Sequence, residues 1–320
     1  MKNRWIGIPS GLKDELGSET ARRGGLAAAA LESLAQAGFR QVKTPVLEYY
    51  DLFAQVGLPM RPETMVKLED RQGRLCVMRP ESTIPVARLV ATKLKNDPKP
   101  LKISYAQPVF RVLPDGKLAQ HDQAGVECFG TQGMEADLEL LRLLLSTLRK
   151  MGMLHPQLEI GHAGLIPALL PTLGLSEEDE ARLMESFVQR NFAVMTDILK
   201  QCPNRRQADT LSRLVMLTGD RDGWQVLEQE LEGEAREILK SLRETAVAMT
   251  GEDVLLDASA VTNMDYYTGI IFRVYAPGAP REVAVGGRYD GLMQKFEQSC
   301  PSIGFVMDLD VLADLAVEHE

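Results

Sequence analysis

Acidic, amide and phenol side chains recur in three short segments of this chain. Carboxylate and amide oxygens accept hydrogen bonds from N–H donors, and an arginine can pair with a ligand carboxylate. The residue types therefore allow a site for a small molecule that carries both groups. The segments are MRPESTIPVA (78–87) with Glu81, YAQPVFRVLPDGKLAQHDQAGVECFG (105–130) with Arg111, Gln123 and Glu127, and VTNMDYYTG (261–269) with Tyr266 and Tyr267.

Each of these residues also has an ordinary structural explanation when it is taken alone. Glu81 follows Arg79 and Pro80 and could be an exposed turn residue, and a three-residue motif carries little information. Gln123 and Glu127 are four apart on an extended segment, so they share a face and could simply be solvated. The adjacent tyrosines could pack in a strand with one hydroxyl hydrogen-bonded. Their occurrence together in this order favours a binding site.

The composition is typical of a soluble globular protein. The chain has 320 residues, 45% of them hydrophobic, which allows one large domain or two ordinary ones. No apolar run near Met1 is long enough for a signal peptide, and no later stretch approaches the roughly 18 apolar residues of a membrane span. We therefore expect a cytoplasmic protein without membrane contact.

Charge and cysteine usage argue against two further kinds of site. The net charge is −9 with a pI near 5.2, and basic residues are dispersed among acidic ones, whereas nucleic-acid binding needs clustered Lys and Arg. The four cysteines form no CxxC pair, and the four histidines lie in none of the usual metal spacings. We expect reduced structural thiols, no metal, no other cofactor and no nucleic-acid partner.

Periodic patterns indicate helices packed on an antiparallel sheet. Apolar residues recur on one helical face from 18 to 37, and Gly38 is placed to end that helix. Residues 39–50 look extended, a hairpin is predicted at 72–73, and the strands LKISYAQPVFRV and AGVECFG flank a polar loop. Strand patterns return near the C-terminus, so one sheet should draw strands from both ends of the chain. From about 162 to 250 the pattern is almost wholly helical, with Ser176 placed as a cap.

Several motifs follow one another in an order and spacing that resemble a known family. They are MRPEST (78–83), the FR of PVFR (108–111), HDQAGVECFG (121–130), MDYYTG (264–269), VGGRYDGL (285–292) and IGF (303–305). Together they resemble the histidyl branch of class II aminoacyl-tRNA synthetases. This resemblance implies an α+β fold, with a class II synthetase-like antiparallel sheet flanked by helices. It also implies a single domain of residues 1–320 with a mostly helical insertion at about 162–250.

The resemblance further implies that free histidine is the ligand. Glu81 and Gln123 would take its α-ammonium with Thr83 nearby, and Arg111 would meet its carboxylate. Glu127 and Tyr267 would bracket the imidazole, with Tyr266 and Tyr289 close by.

Departures from the family pattern lie on the nucleotide side. The synthetases hold ATP with several arginines, of which this chain keeps Arg111. The other matching positions hold Ala119, Thr262 and Val311, and Asp308 stands where a glycine would let the nucleotide approach. Amino-acid activation needs fixed cations where negative charge develops in the transition state. Each such contact contributes about 1.5–3 kcal/mol. We therefore expect no adenylation and no catalytic residues.

The sequence stops at Glu320, soon after the IGF motif, whereas a histidyl-tRNA synthetase continues into an anticodon-binding domain of about a hundred residues. We expect no such domain here. A histidine pocket without activation chemistry resembles the regulatory-subunit family of the short-form ATP phosphoribosyltransferase, which begins histidine biosynthesis. The resemblance implies a non-catalytic subunit that activates the catalytic ATP phosphoribosyltransferase subunit and mediates feedback inhibition by histidine. It also implies a hetero-octamer built on dimers, with residues 38–53 as the dimer contact.

Two other functions stay open. The chain could be a truncated histidyl-tRNA synthetase-like enzyme that adenylates a small amino acid, with an arginine such as Arg273 or Arg288 reaching the nucleotide. It could also be a scaffold whose pocket is a relic. Histidine-dependent exchange between ATP and pyrophosphate would establish the first, and absence of histidine binding would favour the second.

Overall fold

The computed structural model describes residues 6–56, 61–217, 221–261 and 266–317. These ranges contain 11 α-helices and 11 strands. The helices are α1 Ser18–Gln36, α2 Tyr50–Val56, α3 Thr83–Thr92, α4 Met134–Lys150, α5 Leu165–Leu173, α6 Glu177–Val188, α7 Phe192–Leu199, α8 Arg205–Met216, α9 Arg221–Glu230, α10 Gly233–Ala248 and α11 Leu309–Val317. The strands are β1 Arg40–Gln41, β2 Leu47–Tyr49, β3 Lys67–Glu69, β4 Leu75–Met78, β5 Leu101–Val112, β6 Leu118–Phe129, β7 Gln157–His162, β8 Asp253–Leu256, β9 Ile270–Tyr275, β10 Ala284–Arg288 and β11 Ser302–Asp308.

The larger sheet draws strands from both ends of the chain, as predicted. Its order is β1-β5-β6-β11-β10-β9-β7-β8, and β2-β4-β3 form a second, smaller sheet. The pairs β1–β5 and β7–β8 are parallel, and the pairs between them are antiparallel. The α+β class and the flanking of an antiparallel sheet by helices are thus confirmed, with a parallel pair added at each end.

The register of the central strands gathers polar side chains on one face. Arg111 on β5 lies opposite Ala119 on β6, and on β11 Asp308 lies opposite Gln123 and Gly304 opposite Glu127. Directly paired residues share a face, and so do residues two apart on a strand. One face therefore carries the polar groups, while the alternate residues Ala124, Val126 and Cys128 join the core on the other side.

Two hydrophobic cores lie on opposite sides of the sheet. The larger core joins the sheet to α1, α4, α11 and the helices from α5 to α10. The smaller core contains buried residues of α2, α3 and the smaller sheet, together with Tyr105, Tyr266 and Tyr289. The polar face of the sheet is on this second side.

The helices α5 to α10 form what we call the helical region, residues 165–248. Ser176 caps α6 by accepting a hydrogen bond from the Asp179 N–H at 3.2 Å, as predicted. Trp224 is fully buried within the region, so these helices share a core. Their status as an insertion within a single domain stays a prediction.

Two smaller expectations concern the membrane and the cysteines. Among the described helices, none combines the length and apolarity needed to cross a membrane. All four cysteines are buried and form no disulfide, in agreement with the prediction of reduced structural thiols.

Candidate functional site

All the site residues named from the sequence line one cavity of about 520 Å³. The central strands form its floor, and the N-terminal end of α3 forms one wall. The structure thus brings together residues from distant parts of the chain, although what the cavity binds stays a prediction. The residues are Glu81, Thr83, Arg111, Gln123, Glu127, Tyr266, Tyr267 and Tyr289.

Glu127 is a buried carboxyl group held by two phenols. Glu127 is only 1% exposed. Its carboxyl group accepts hydrogen bonds from the Tyr105 hydroxyl at 3.2 Å and from the Tyr289 hydroxyl. Burial raises its pKa from 4.5 to about 8, and the hydrogen bond from Tyr289 opposes that rise. A basic group placed beside it would favour the ionised form.

Glu81 is a second buried carboxyl group, and it also caps a helix. Its two oxygens accept the backbone N–H groups of Thr83 at 2.9 Å and Ile84 at 2.8 Å, at the start of α3. Burial raises its pKa to about 7, against the effect of these hydrogen bonds and of Arg111. Glu81 is therefore not an exposed turn residue. A carboxylate has about four acceptor sites, so each oxygen can still accept from a ligand.

The loop that carries Glu81 is tied to β5 by two arginines, Arg79 and Arg111. Arg79 is fully buried and donates to the Pro108 carbonyl at 2.7 Å and the Thr44 carbonyl at 2.8 Å. Arg111 Nε donates at 3.0 Å to the carbonyl of the residue before Glu81. A guanidinium has five N–H donors, so Arg111 can hold this loop and still present donors to the cavity.

Three tyrosines form an aromatic wall. The ring centroid of Tyr266 lies 5.0 Å from that of Tyr267 and 5.7 Å from that of Tyr289, within the range of favourable aromatic pairs. Burial raises the pKa of all three phenols above the ordinary value of 10.0. They remain neutral hydroxyls near neutral pH, able to donate or accept hydrogen bonds.

Two glycines provide the space for this arrangement. A Cβ at Gly125 would lie 2.6 Å from the Tyr105 hydroxyl, and one at Gly304 would lie 2.0 Å from Glu127 Oε2. Both distances are far below van der Waals contact. The Glu127 carboxyl group and the Tyr105 phenol therefore occupy space that a side chain at position 125 or 304 would fill.

Gly304→Ala is expected to lower the free energy of unfolding by about 1–3 kcal/mol, the usual cost of overpacking a core. The new methyl group would meet both Glu127 Oε2 and the Val126 carbonyl, at 2.5 Å, and the backbone atom cannot rotate away. Urea unfolding measures the effect. The control is Gly291→Ala, where the nearest atom to the new Cβ is 3.6 Å away. Equal stability of the two variants would contradict the close packing described here.

The cavity contains more cations than the motif comparison suggests. Arg190, Arg273 and Arg281 also line it. Arg273 donates to Glu159 at 2.8 Å, and Arg281 donates to Asp308 at 2.5 Å. Arg273, named above as an alternative cation, is thus on the cavity wall. Arg288 is not among the lining residues; it pairs instead with Asp137 and Asp290.

The positions that depart from the synthetase pattern supply no cation. Ala119 is buried opposite Arg111, and Val311 packs in the larger core. Asp308 lines the cavity, and its Oδ1 accepts the N–H of Val311 at 3.1 Å as α11 begins. Thr262 lies outside the described residues.

Sequence reasoning missed several lining residues. Strand alternation could have identified Tyr105, because it is six residues before Arg111 on the same strand and therefore shares its face. It could also have identified His121, which is two residues before Gln123. Arg190 and Arg281 lie in connecting segments, where no periodicity indicates a direction.

Comparison with known proteins gives a consistent set of similarities. Residues 11–312 match the family model of histidyl-tRNA synthetase. A relative from Clostridium kluyveri, an ATP phosphoribosyltransferase regulatory subunit, is 33% identical over 95% of this chain and 80% of its own length. A Bacillus halodurans structure described as an ATP phosphoribosyltransferase regulatory subunit/histidyl-tRNA synthetase has a TM-score of 0.89 at 29% identity, covering 97% of this chain and 83% of that one. A histidine–tRNA ligase subunit from Alicyclobacillus acidocaldarius has a TM-score of 0.84 at 25% identity, covering 98% of both chains.

Proposed function

Because this chain belongs to the histidyl-tRNA synthetase family, in its branch of ATP phosphoribosyltransferase regulatory subunits, we propose that it regulates that enzyme by binding free histidine. The regulated reaction belongs to histidine biosynthesis, so the ligand is the end product. The observation that carries the proposal is the pair of buried carboxyl groups, Glu81 and Glu127, inside one cavity with Arg111.

Histidine matches the chemistry of this cavity group by group. Its α-ammonium meets Glu81 and Gln123, its carboxylate meets Arg111, and its imidazole lies between Glu127 and Tyr267. Buried charges are stable only when they are paired, so a ligand with two basic ends satisfies two carboxylates that are otherwise held partly protonated. The phenol wall adds neutral hydrogen-bonding groups around the ring.

The same cavity is poorly suited to a nucleotide polyphosphate. Among the described lining residues, four arginines face an equal number of acidic groups: Arg111, Arg190, Arg273 and Arg281 against Glu81, Glu127, Glu282 and Asp308. Two of the arginines are engaged by carboxylates at hydrogen-bond distance. The negative charge that develops in the transition state of amino-acid activation is stabilised by fixed cations that are not already paired with carboxylates. The chain is therefore a regulator without adenylating activity.

Regulation requires a partner and a coupling between sites. The partner is the catalytic ATP phosphoribosyltransferase subunit, and histidine inhibits by favouring one arrangement of the complex, with a coupling of about 1–3 kcal/mol.

Two copies of this chain associate through residues 38–53, within a hetero-octamer. Leu47 and Tyr49 of this segment are 44% and 46% exposed, and Leu68 on β3, which is 37% exposed, lies on the same face of the small sheet. Such an apolar patch suits a contact between copies.

Co-expression with a short catalytic ATP phosphoribosyltransferase chain tests the proposal. We expect the two chains to purify together, the catalytic chain to be more active in the complex than alone, and added histidine to reduce the activity of the complex. A complex that forms and is active but does not respond to histidine would contradict the ligand. Failure of the chains to associate or of activity to rise would contradict the regulatory role.

The rival enzymatic function has one observation in its favour, which is the presence of Arg190, Arg273 and Arg281 on the cavity wall. If ligand binding released these arginines from their carboxylates, they could hold phosphate groups. Histidine-dependent exchange of pyrophosphate into ATP by the purified chain distinguishes the two functions. We expect none above background, and measurable exchange would replace the regulatory proposal with the enzymatic one.

A further inference from the structure

The helical region touches the cavity at one turn. Of the described residues that line the cavity, only Val188 and Arg190 come from residues 165–248. Val188 ends α6 and Arg190 lies in the turn before α7, while the other lining residues come from the sheet, from α3 or from segments next to them. This turn is therefore where the cavity and the helical region can influence each other.

The turn is fixed by its own hydrogen bonds. Arg190 has φ 51°, a left-handed conformation that costs a residue with a side chain about 1–2 kcal/mol. Its N–H donates to the Phe187 carbonyl at 3.0 Å, and the next N–H, of Asn191, donates to Ser186 at 2.8 Å. Asn191 also caps α7 by accepting from Val194 N–H at 3.2 Å. The direction of the Arg190 side chain is thus set by the ends of both helices.

Arg190 extends to two buried carboxylates, that of Glu159 on β7 and that of Asp257 directly after β8. Its Nη2 lies 3.7 Å from Glu159 Oε1 and 3.7 Å from Asp257 Oδ2, and these acids are 9% and 5% exposed. A distance of 3.7 Å is an ion pair but exceeds hydrogen-bond range. The Arg190 side chain is itself 50% exposed. The guanidinium is therefore attracted to both acids without yet being bound to either.

The acids differ in how far their other partners satisfy them. Glu159 already accepts from Arg273 at 2.8 Å. Asp257 uses its Oδ1 for the backbone and hydroxyl of Ser259, at 2.8 and 2.6 Å, and its Oδ2 faces Arg190. A direct hydrogen bond from the Arg190 guanidinium would therefore stabilise the Asp257 carboxylate more than that of Glu159.

We propose that Arg190 is a positioning residue that couples occupancy of the cavity to closure of the helical region. A ligand in the cavity displaces water, and attraction between charges strengthens as the surrounding dielectric falls. The guanidinium then moves into direct hydrogen bonds with Asp257 and Glu159 and draws the α6–α7 turn onto the sheet. The inference rests on the proposed function only in taking histidine as the ligand.

Hydrogen exchange on the purified chain, with and without saturating histidine, tests this coupling. In the wild-type chain we expect histidine to slow exchange in α6 and α7, residues 177–199. Arg190→Gln should abolish this slowing and weaken histidine binding about 3- to 30-fold, as measured by calorimetry. Arg190→Lys should restore part of both effects because it keeps the charge, and Asp257→Asn should reproduce the loss from the sheet side.

The matched control is Arg182→Gln. Arg182 lies on α6, eight residues before Arg190, but it pairs with Asp179 on the surface, is 58% exposed and does not line the cavity. It should behave as the wild type in both measurements. Histidine binding by the wild type together with unchanged exchange and affinity in Arg190→Gln would overturn the coupling alone. Absence of histidine binding by the wild type would overturn the proposed ligand and this inference with it.

Discussion

Replacing Glu127 with glutamine is expected to weaken histidine binding roughly 10- to 100-fold, and to make the complex with the catalytic subunit correspondingly less sensitive to histidine. The substitution preserves the shape of the side chain but removes the charge that the imidazole N–H meets. A hydrogen bond to a charged group contributes about 1.5–3 kcal/mol, which corresponds to this range. Calorimetry on the isolated chain and steady-state inhibition of the complex measure the two effects.

The same variant has an independent readout in the absence of ligand. In the unfolded chain the Glu127 carboxyl ionises near pH 4.5, whereas in the folded chain it keeps its proton until about pH 8. The unfolded state therefore binds fewer protons between these values, and the carboxyl lowers stability as pH rises through that window. Glutamine does not titrate, so ligand-free Glu127→Gln should be more stable than the wild type at pH 8, by at most about 4 kcal/mol.

A control separates loss of the site from loss of a carboxyl group elsewhere on the chain. Glu178→Gln makes the same chemical substitution at an exposed position outside the cavity and should leave histidine affinity unchanged. If Glu127→Gln bound histidine as tightly as Glu178→Gln did, Glu127 would not be part of the binding site. Higher thermal stability of Glu127→Gln at pH 8, together with weaker binding, would exclude misfolding as the cause.

The parts of the site that could be predicted from sequence are those on long paired strands. Strands β5 and β6 are joined by a short polar loop, so the alternation of side chains along them fixes which residues share a face. Arg111, Gln123 and Glu127 satisfy this rule, and they lie together on the cavity floor. The helix over 18–37 and the strand over 302–308 were equally accessible, because their patterns are long or bounded by clear breaks.

Other features depend on tertiary packing that the sequence pattern does not encode. Residues 39–50 read as one extended segment, yet strand pairing is confined to Arg40–Gln41 and Leu47–Tyr49, and α2 begins at Tyr50. The partners of Arg273 and Arg281 are acids far away in sequence, Glu159 and Asp308. Counting cations from motifs therefore underestimated the positive charge at the cavity, although most of that charge is already paired.

The cavity wall carries paired charges, whereas its interior carries two protonated carboxyl groups, and this difference links ligand binding to proton release. Arg273 and Arg281 are held by acids at hydrogen-bond distance, whereas Glu81 and Glu127 have no arginine that close among the described residues. The interior therefore carries two carboxyl groups whose ionisation awaits a basic ligand. Ligand binding and proton release become linked events.

Histidine affinity is accordingly expected to be highest between about pH 7 and pH 8 and to fall steeply on acidification. Burial raises the pKa of Glu81 to about 7 and that of Glu127 to about 8. Below about pH 6.5 the imidazole of free histidine is itself protonated, so both carboxyl groups must release a proton when the dication binds. Affinity should then fall at least about tenfold per pH unit, and at most about a hundredfold.

Between pH 6.5 and pH 8 the two acids differ in whether they release a proton when histidine binds. Neutral imidazole can share the proton that Glu127 already holds, so no proton need be released there. Glu81 meets an α-ammonium that is charged throughout this range, so affinity depends on its ionisation near pH 7. Above pH 8 the proton shared with the imidazole must be taken from solvent, and affinity should decline again. Calorimetry from pH 5.5 to 9, in two buffers of different ionisation enthalpy, counts the protons directly. Glu127→Gln should reduce the acid-side release by one proton, and an affinity independent of pH would show that neither carboxyl group meets the ligand.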